Sequence, residues 1–411
     1  MEKNVKRWTD PNGGMGEVDC CIIGGGLVGL ATAYRFLEKF PHDSVLLLEK
    51  DSRVACQQST HNSGVLHAGL YYKPGSEKAK LCVEGIREMV AFCQHHHIRH
   101  EQCGKLVVAG TVNELPRLET LWSRGNLNGL QGMKRLSVEE MREREPHVAG
   151  IQGILVPEEG IVDYRAVADT LAREIVRLNG EIRLQTKVEK LISEGTKWRL
   201  VTTQGEFVAK KVVNCGGLHS DLVLKSSGVQ RPARIVPFRG EYYDLKPEAQ
   251  HLVKHLIYPV PDPDFPFLGV HFTRMIQGGV EAGPNAVLAL RREGYRMFDF
   301  DLREFWDAIS YPGLWRFLIQ YPSMVTYELY RSFSKEVFCR SLQRLVPAIQ
   351  QEHLEEGSAG VRAQAMFPNG KLVEDFLFVH QGSLTHVVNA PSPAATSSLA
   401  IGRRIVEEIG A

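Results

Sequence analysis

A glycine-punctuated strand–helix–strand opening, a switch to short strands after residue 180, and a stretch rich in Pro, Gly and aromatic residues over 232–300 predict the fold class. Together they imply an α/β protein (α+β overall), with a Rossmann-like nucleotide-binding domain and a second domain built on an antiparallel sheet plus helices. The 411 residues suffice for two or three domains and for a core that needs no disulfide or metal staple. Hydrophobic residues make up 43% and charged residues 24%, a globular composition. Lys and Arg total 49 against 48 for Asp and Glu, a net charge of +1, so the chain lacks the basic field that nucleic-acid binding needs. The 8 cysteines are scattered without C-x-x-C spacing and read as small buried hydrophobes of a reduced, intracellular protein. No apolar run approaches the ~18 residues of a membrane span. The opening MEKNVKRWTDPNGGMG lacks a signal-peptide hydrophobic core and is compatible with the stub of a removed basic targeting segment.

Each element follows from its pattern. Residues 18–23 are an apolar run of strand length, the glycines of 24–29 punctuate it, a helical pattern centres on 30–37, and 44–49 (SVLLLE) is a second buried strand. Residues 85–150 read as largely helical and charged, interrupted by the strand-like Lys105–Ala109. Asp163 stands as N-cap to a helix over 164–178. Over 181–213 the period changes: 181–186, 188–193, 197–203 and 206–213 read as short strands, with Gln204-Gly205 as a hairpin turn. Residues 301–350 return to helix, Leu384–Asn389 is a strand, and APSPAATSS leads into a helix over 397–409. The chain then divides into a discontinuous nucleotide-binding domain (17–84, 151–231 and 355–411) and a second domain (85–150 and 232–354).

Gly24-Gly25-Gly26-Leu27-Val28-Gly29 satisfies G-x-G-x-x-G. Gly24 permits the tight turn, Gly26 lets the backbone approach a pyrophosphate, and Gly29 lets the helix pack closely on the strand. Leu27 and Val28 open a helix whose N-terminus offers free N–H groups and partial positive charge to the phosphates. Glu49, ending the next strand, can accept both ribose hydroxyls of an adenosine, with Lys50 beside it. A plain NAD domain would continue with alternating strands and helices. This chain instead runs into Ser59-Thr60-His61-Asn62-Ser63-Gly64, and a β-meander, with Val188 expected at the cofactor, later returns into Cys215-Gly216-Gly217. Contacts from several distant segments suit the longer body of FAD.

GGGLVG, HNSGVLHAGLYYKPGS, NCGGLHSD, PFRGEYY, FPFLGVHFT, GPNAVLA, GVRAQA and NAPSPAATSS together resemble the L-2-hydroxyglutarate dehydrogenases of the flavin-dependent D-amino-acid-oxidase superfamily. The resemblance runs from about residue 18 to 409. It implies an FAD-binding domain of the D-amino-acid-oxidase/glutathione-reductase-2 type, L-2-hydroxyglutarate as substrate, 2-oxoglutarate as product, and electrons passed to a respiratory acceptor such as a quinone. It further implies a mitochondrial location in a eukaryote and the cytoplasmic face of the inner membrane in a bacterium. One departure is the short segment VHQGSLTHVV between Phe378 and Asn389, which is expected to shorten a loop near the flavin end.

Oxidising a 2-hydroxy acid requires a base for the hydroxyl proton, hydride transfer to flavin N5, and cations for two carboxylates. His67 is the expected base, lying where superfamily members approach the isoalloxazine; a structural histidine is the alternative. His271, in GVHFT, competes as base or hydrogen-bond donor. His61 is expected at the cofactor. Arg362 matches an arginine that reaches the substrate in related hydroxy-substrate flavoenzymes and is expected at the C1 carboxylate, where its planar fork suits the anion. Arg239, with Tyr242 and Tyr258, is the candidate for the distal carboxylate, in competition with Lys73, Lys105 and Arg292; Asn389 completes the substrate set. Pro393, Ala394, Ala395 and Thr396 are expected to aim a helix N-terminus at flavin N1 and O2. Consecutive His95, His96 and His97 cannot face one metal, and no metal is expected.

Residues 298–333 carry eleven aromatic side chains, from Phe298 to Phe333. General burial preference predicts that they pack against the second domain's sheet, with a peripheral membrane patch as the alternative. At the level of function, a sarcosine- or glycine-type amine oxidase and a non-catalytic flavin-binding protein remain the rivals.

Overall fold

The computed structural model describes residues 16–262 and 268–410. The stub-like opening, apart from Gly16, and residues 265–267 of the FPFLGVHFT motif therefore lie outside the described residues. Five parallel strands run in the order Glu181–Arg183, Val45–Leu48, Glu17–Ile23, Gly205–Asn214, Leu384–Asn389. Counted along the chain this is 3-2-1-4-5, the doubly wound order. The runs CCII and VLLL are buried almost completely, as a parallel sheet covered on both faces requires. The hairpin Val188–Glu194/Lys197–Thr202 adds antiparallel to the first half of Gly205–Asn214, as the meander predicted. Helices Leu27–Lys39 and Ser398–Gly410 cross at backbone contact, since a Cβ on Gly402 would lie 2.7 Å from the Ala31 carbonyl carbon. The helix Tyr164–Arg177 starts where expected, with Asp163 accepting from the Ala166 amide at 3.0 Å.

The short VHQGSLTHVV loop is not near the cofactor end. Leu384 registers with Val212 and His386 with Asn214, so the turn at Gly382-Ser383 lies at the sheet end opposite Gly24 and Cys215.

A nine-stranded, mostly antiparallel sheet forms the second layer. The expected boundaries at 151 and 355 cut through it. Gln152–Val156 pairs with Lys105–Ala109, and Leu354–Met366 pairs along the length of Arg234–Leu245, so both belong to this sheet. One face, with Leu106, Val108, Ile257, Phe272 and Ala282, is covered by Phe338 and Leu342 of the helix Lys335–Gln343. The other face carries Val107, Ala109, Leu256 and Tyr258, which join the core cluster of the nucleotide domain, together with Lys105, His271 and Thr273.

The helices Leu302–Ile309, Pro312–Gln320 and Pro322–Phe333 bury Tyr311, Leu314, Phe317 and Met324 against Val236, Phe238 and Met366. The expectation that this aromatic stretch is core holds only for that inner row. Phe298 is 83% exposed, Trp306 65%, Trp315 54%, Tyr330 60% and Phe333 73%. Short helices with apolar residues on two sides can bury only one side against a sheet. Among the described residues no helix is long and apolar enough to cross a membrane.

Candidate active site

The nucleotide cradle is built from backbone. Gly24 has φ +102°, a Cβ there would sit 2.5 Å from the Cys215 carbonyl oxygen, and a Cβ on Gly29 would sit 2.0 Å from the Gly24 oxygen. Glycine is therefore required at both positions for the strand, the helix and the returning 215–217 turn to meet. At the helix N-terminus the Leu27 amide donates to Ser59 Oγ at 2.9 Å, and the Gly25 amide to Glu49 Oε2 at 2.6 Å. Among the described residues the amides of Gly26, Val28 and Gly29 find no acceptor in the chain, which leaves them for a phosphate. Glu49 is 8% exposed; its other oxygen accepts from the Asp51 amide at 2.9 Å, and burial raises its carboxyl pKa. Lys50 is committed to Asp51 at 2.8 Å and Glu293 at 2.7 Å, so its side chain braces the strand end. Val188 begins its hairpin half-buried, opposite Thr202.

The hydroxyl- and amide-rich loop is knitted by its own side chains. Thr60 Oγ1 donates to the Ala55 carbonyl at 2.7 Å, and Asn62 Nδ2 donates to the Gln58 and Ser59 carbonyls while Oδ1 accepts from the Gly64 amide. His61 Nδ1 meets the Gln57 carbonyl at 3.0 Å, and its ring lies 4.2 Å from that of Tyr295. Side chains of Thr60, His61 and Asn62 thus shape the loop, leaving chiefly its backbone and Ser63 to face a ligand. Arg165, on the helix Tyr164–Arg177, donates to the Val54 and Ala55 carbonyls at 2.7 Å each. Sequence reasoning missed Arg165, which looks like any helix-surface arginine. Across the cleft, Asn214 Oδ1 accepts from the Gly216 amide at 3.0 Å, and Gly217 has φ +52°. Free amides, a buried carboxylate beside them and glycines that no Cβ could replace fit a dinucleotide.

The C-terminal motif closes the other end. Pro393, Ala394 and Thr396 are buried, and Ala395 half-buried, in turns ahead of the helix Ser398–Gly410, which opens one residue later than expected. Thr396 Oγ1 accepts from the His67 amide at 3.2 Å and lies 2.8 Å from the Tyr164 hydroxyl. This ties the loop to the strand Val65–Leu66 that delivers His67.

Register gathers the substrate-side residues. Leu256 stands opposite both Lys105 and Thr273, Thr273 opposite Glu281, and Phe238 opposite Arg362. Side chains alternate along each strand, so Lys105, Tyr258, His271, Thr273, Tyr242 and Arg362 share one face. The Lys105, Arg362 and His67 charges each oppose protonation of His271. Burial is the largest cause, and together these effects hold that imidazole at about 3. Burial and the Lys105 ammonium also lower the His67 pKa, against a raising effect of Glu159. His67, Tyr242 and Arg362 are half-buried, each keeping part of its surface open. Burial pulls the Arg362 guanidinium below its usual value, and Nη1 lies 3.4 Å from the Asn285 carbonyl.

Several expected assignments change. Arg239 is one residue out of phase with Phe238, so it points to the opposite face from Arg362. There it donates to Glu241 Oε1 at 2.7 Å and the Arg296 carbonyl at 2.8 Å, and it is not a substrate ligand. Asn389 accepts from the Ala365 amide and donates to the Val373 and Asp375 carbonyls, so its amide is spent on backbone. Tyr258 is 1% exposed and stacks on His271 at 3.8 Å, a packing role in place of a substrate contact. Of the competing cations, Lys73 is exposed and Arg292 is locked to Asp221 and Asp307. Lys105, 0% exposed, is paired with Glu159. Glu159 itself escaped notice because PEEG reads as a solvated turn. His95 and His97 are exposed, while His96 packs on Phe92 with ring centres 4.4 Å apart.

A family model described as FAD dependent oxidoreductase matches residues 19–408. Over 387 residues the chain is 48% identical to the L-2-hydroxyglutarate dehydrogenase of Indibacter alkaliphilus, covering 94% of this chain and 97% of the relative. It is 43% identical over 408 residues to the mitochondrial L-2-hydroxyglutarate dehydrogenase of Homo sapiens, covering 95% and 88%. Its fold is similar to that of L-alpha-glycerophosphate oxidase from Mycoplasma pneumoniae with FAD bound, with TM-score 0.76, 22% identity, and 97% and 96% of the two chains covered. Glycine oxidase from Geobacillus kaustophilus gives a TM-score of 0.69 at 18% identity, with 96% and 95% covered. Fingerprint, cradle and length-wide identity agree: the chain belongs to the FAD-dependent oxidoreductases and, within them, to the L-2-hydroxyglutarate dehydrogenases.

Proposed function

We propose that this chain oxidises L-2-hydroxyglutarate to 2-oxoglutarate and passes the electrons to a respiratory-chain acceptor such as a membrane quinone. The observation that carries the reaction is that the strand Val65–Leu66 delivers His67 against Lys105, on the sheet face that also carries His271 and Arg362, beside the nucleotide cradle. The Gly24–Gly29 turn, Glu49 and the 392–397 turns would hold FAD, which would supply the acceptor for the C2 hydride. Arg362 holds the C1 carboxylate through its planar fork, which orients C2 and compensates an anion that would be costly unpaired. His67 takes the hydroxyl proton. Its pKa lies below the ordinary 6.5, so it is neutral and able to accept at pH 7. His271 is the weaker base at about 3, and its Nδ1 is turned to the Gly269 carbonyl at 2.9 Å. It serves as a wall of the pocket, backed by Tyr258.

The quinone reading rests on the exposed outer side of the helices between 302 and 333. Leu302, Trp306, Ile319 and Phe333 suit a helix surface lying in a bilayer interface, where an apolar electron acceptor resides. On this reading a eukaryotic chain works at the mitochondrial inner membrane and a bacterial one at the cytoplasmic face of its inner membrane. The reaction is tested by anaerobic absorbance of the yellow holoenzyme. L-2-hydroxyglutarate should bleach the flavin band near ~450 nm, a property of flavins generally, while the D enantiomer and sarcosine should leave it. Bleaching by sarcosine alone would move the chain to the amine oxidases.

A further inference from the structure

Opposite His67 lies a fully buried ion pair that the mechanism above does not use. The three-stranded ladder puts it there. Val65 pairs with Ile161 and Leu66 with Gly160, so the next step of the ladder sets His67 against Glu159. Glu159 Oε1 accepts from the Ala68 amide at 3.2 Å, which fixes the carboxylate to the segment carrying His67. Its other oxygen, Oε2, faces two groups: the Lys105 ammonium, which it contacts directly, and His67 Nδ1 at 3.7 Å. Lys105 Nζ is also 3.3 Å from Nδ1 and stands over the Tyr258 ring at 4.3 Å and the Tyr71 ring at 5.1 Å. Glu159 and Lys105 are both 0% exposed, whereas the His67 side chain keeps 21% of its surface open. Both groups of the pair therefore sit behind the imidazole, on its Nδ1 side.

We propose that Glu159 and Lys105 are a positioning pair for His67: Glu159 holds the imidazole proton on Nδ1, so that Nε2 presents its lone pair to the substrate hydroxyl, and Lys105 anchors that carboxylate. This inference rests on His67 being the base. In the proton step the substrate O–H bond breaks and an Nε2–H bond forms. The Nδ1–H bond stays, and no oxidant is consumed. The ring becomes a cation whose Nδ1–H then faces a carboxylate, and the 3.7 Å separation can shorten to a charge-assisted hydrogen bond. Lys105 works in the other direction before the step, since a neighbouring ammonium disfavours premature protonation. Glu159 is held ionised at about 2 by Lys105 and His67 despite its burial, as this role requires. The remaining groups around His67 do not duplicate the pair. Lys78 and Cys82 approach from the helix Glu77–His95, Cys82 through its Sγ on the His67 carbonyl at 3.1 Å. Thr396 binds the His67 amide, and His271 with Tyr258 closes the sheet side.

The test is the pH profile of anaerobic flavin reduction in holoenzyme variants, read together with the His67 tautomer, because nearby charges alone also move the ring's pKa in opposite directions. Glu159→Gln removes the anion, so the acid limb set by His67 should move to lower pH. Lys105→Met removes the cation and should move it to higher pH, each by about 1–3 units. Lys105→Arg keeps the charge and should leave the limb in place. Equal shifts of one sign, or none, overturn the proposal. Loss of one partner from a buried pair can also prevent folding. In that case the 15N histidine spectrum of the native holoenzyme decides, with the His67 signals assigned by their absence in His67→Asn. An Nδ1–H tautomer supports the pairing with Glu159, and an Nε2–H tautomer, with Lys105 donating to Nδ1, overturns it. A His67→Asn enzyme that reduces at the native rate removes the base assignment itself, a result separable from either tautomer.

Discussion

The guanidinium of Arg362 and the imidazole of His67 come from residues about 300 positions apart in sequence, yet each is set by a local rule of strand geometry. Arg362 lies directly opposite Phe238, so its direction follows from the parity of that strand pair. Replacing it by Lys keeps the charge and loses the planar two-point fork. We expect Arg362→Lys holoenzyme to bind 2-oxoglutarate about 10–100-fold more weakly, in the range set by loss of one charge-assisted hydrogen bond. Its FAD content should be unchanged. Titration of the flavin spectrum with 2-oxoglutarate measures this, and an unchanged affinity would place the carboxylate elsewhere. The same parity explains why Arg239 misled. Three residues before Tyr242 in PFRGEYY, it looks equivalent to Arg362 as a buried cation, and only the partner strand reveals that it faces away. Asn389 likewise reads as a polar residue at the functional end of a strand, and only tertiary contact shows its amide filled by three backbone groups.

Elements with a strong local signature were legible. The G-x-G-x-x-G turn, the buried strand VLLL and the Asp163 cap each state their structure within a few residues, because the constraint is local sterics or a single hydrogen bond. The strand Leu354–Met366 was not legible. LEEGSAGVRAQAM has a single β-branched residue and holds five glycines and alanines among polar neighbours, so its propensity argues for a loop. Pairing with twelve-residue Arg234–Leu245 overrides that propensity, with an irregularity between Glu241 and Tyr243. The domain boundary at 355 failed for this reason. Glu159 was hidden in the same way: its importance comes from a two-residue strand, Val65–Leu66, too short to leave a pattern.

At the scale of the molecule, two layers meet face to face, with the nucleotide cradle at the ends of the parallel strands and the sheet face that carries Lys105, His271 and Arg362 across from it. The aromatic helices lie on the outside, and half of their large side chains have no protein to cover them. The patch predicts a surface property separable from folding. Trp306→Ala with Phe333→Ser removes two side chains that are 65% and 73% exposed, and folded-state stability should change by less than about 0.5 kcal/mol each. Partitioning onto phospholipid vesicles, read by co-sedimentation, should weaken about tenfold per side chain, from the loss of roughly 1.5 kcal/mol or more of apolar burial. Vesicle binding that survives both substitutions would assign the patch to another surface.

The reaction centre itself is tested most directly by one rate constant: anaerobic reduction of the bound flavin by L-2-hydroxyglutarate, followed by stopped-flow absorbance in native and His67→Asn holoenzymes. With His67 as the base, the variant should keep its flavin spectrum and FAD content while reduction slows by about 10²–10⁴-fold, the usual contribution of a positioned general base. In the native enzyme the rate should fall as pH drops through the His67 pKa, below 6.5, because only the neutral ring accepts the proton. A variant that reduces at the native rate, with the native pH profile, would contradict the assignment.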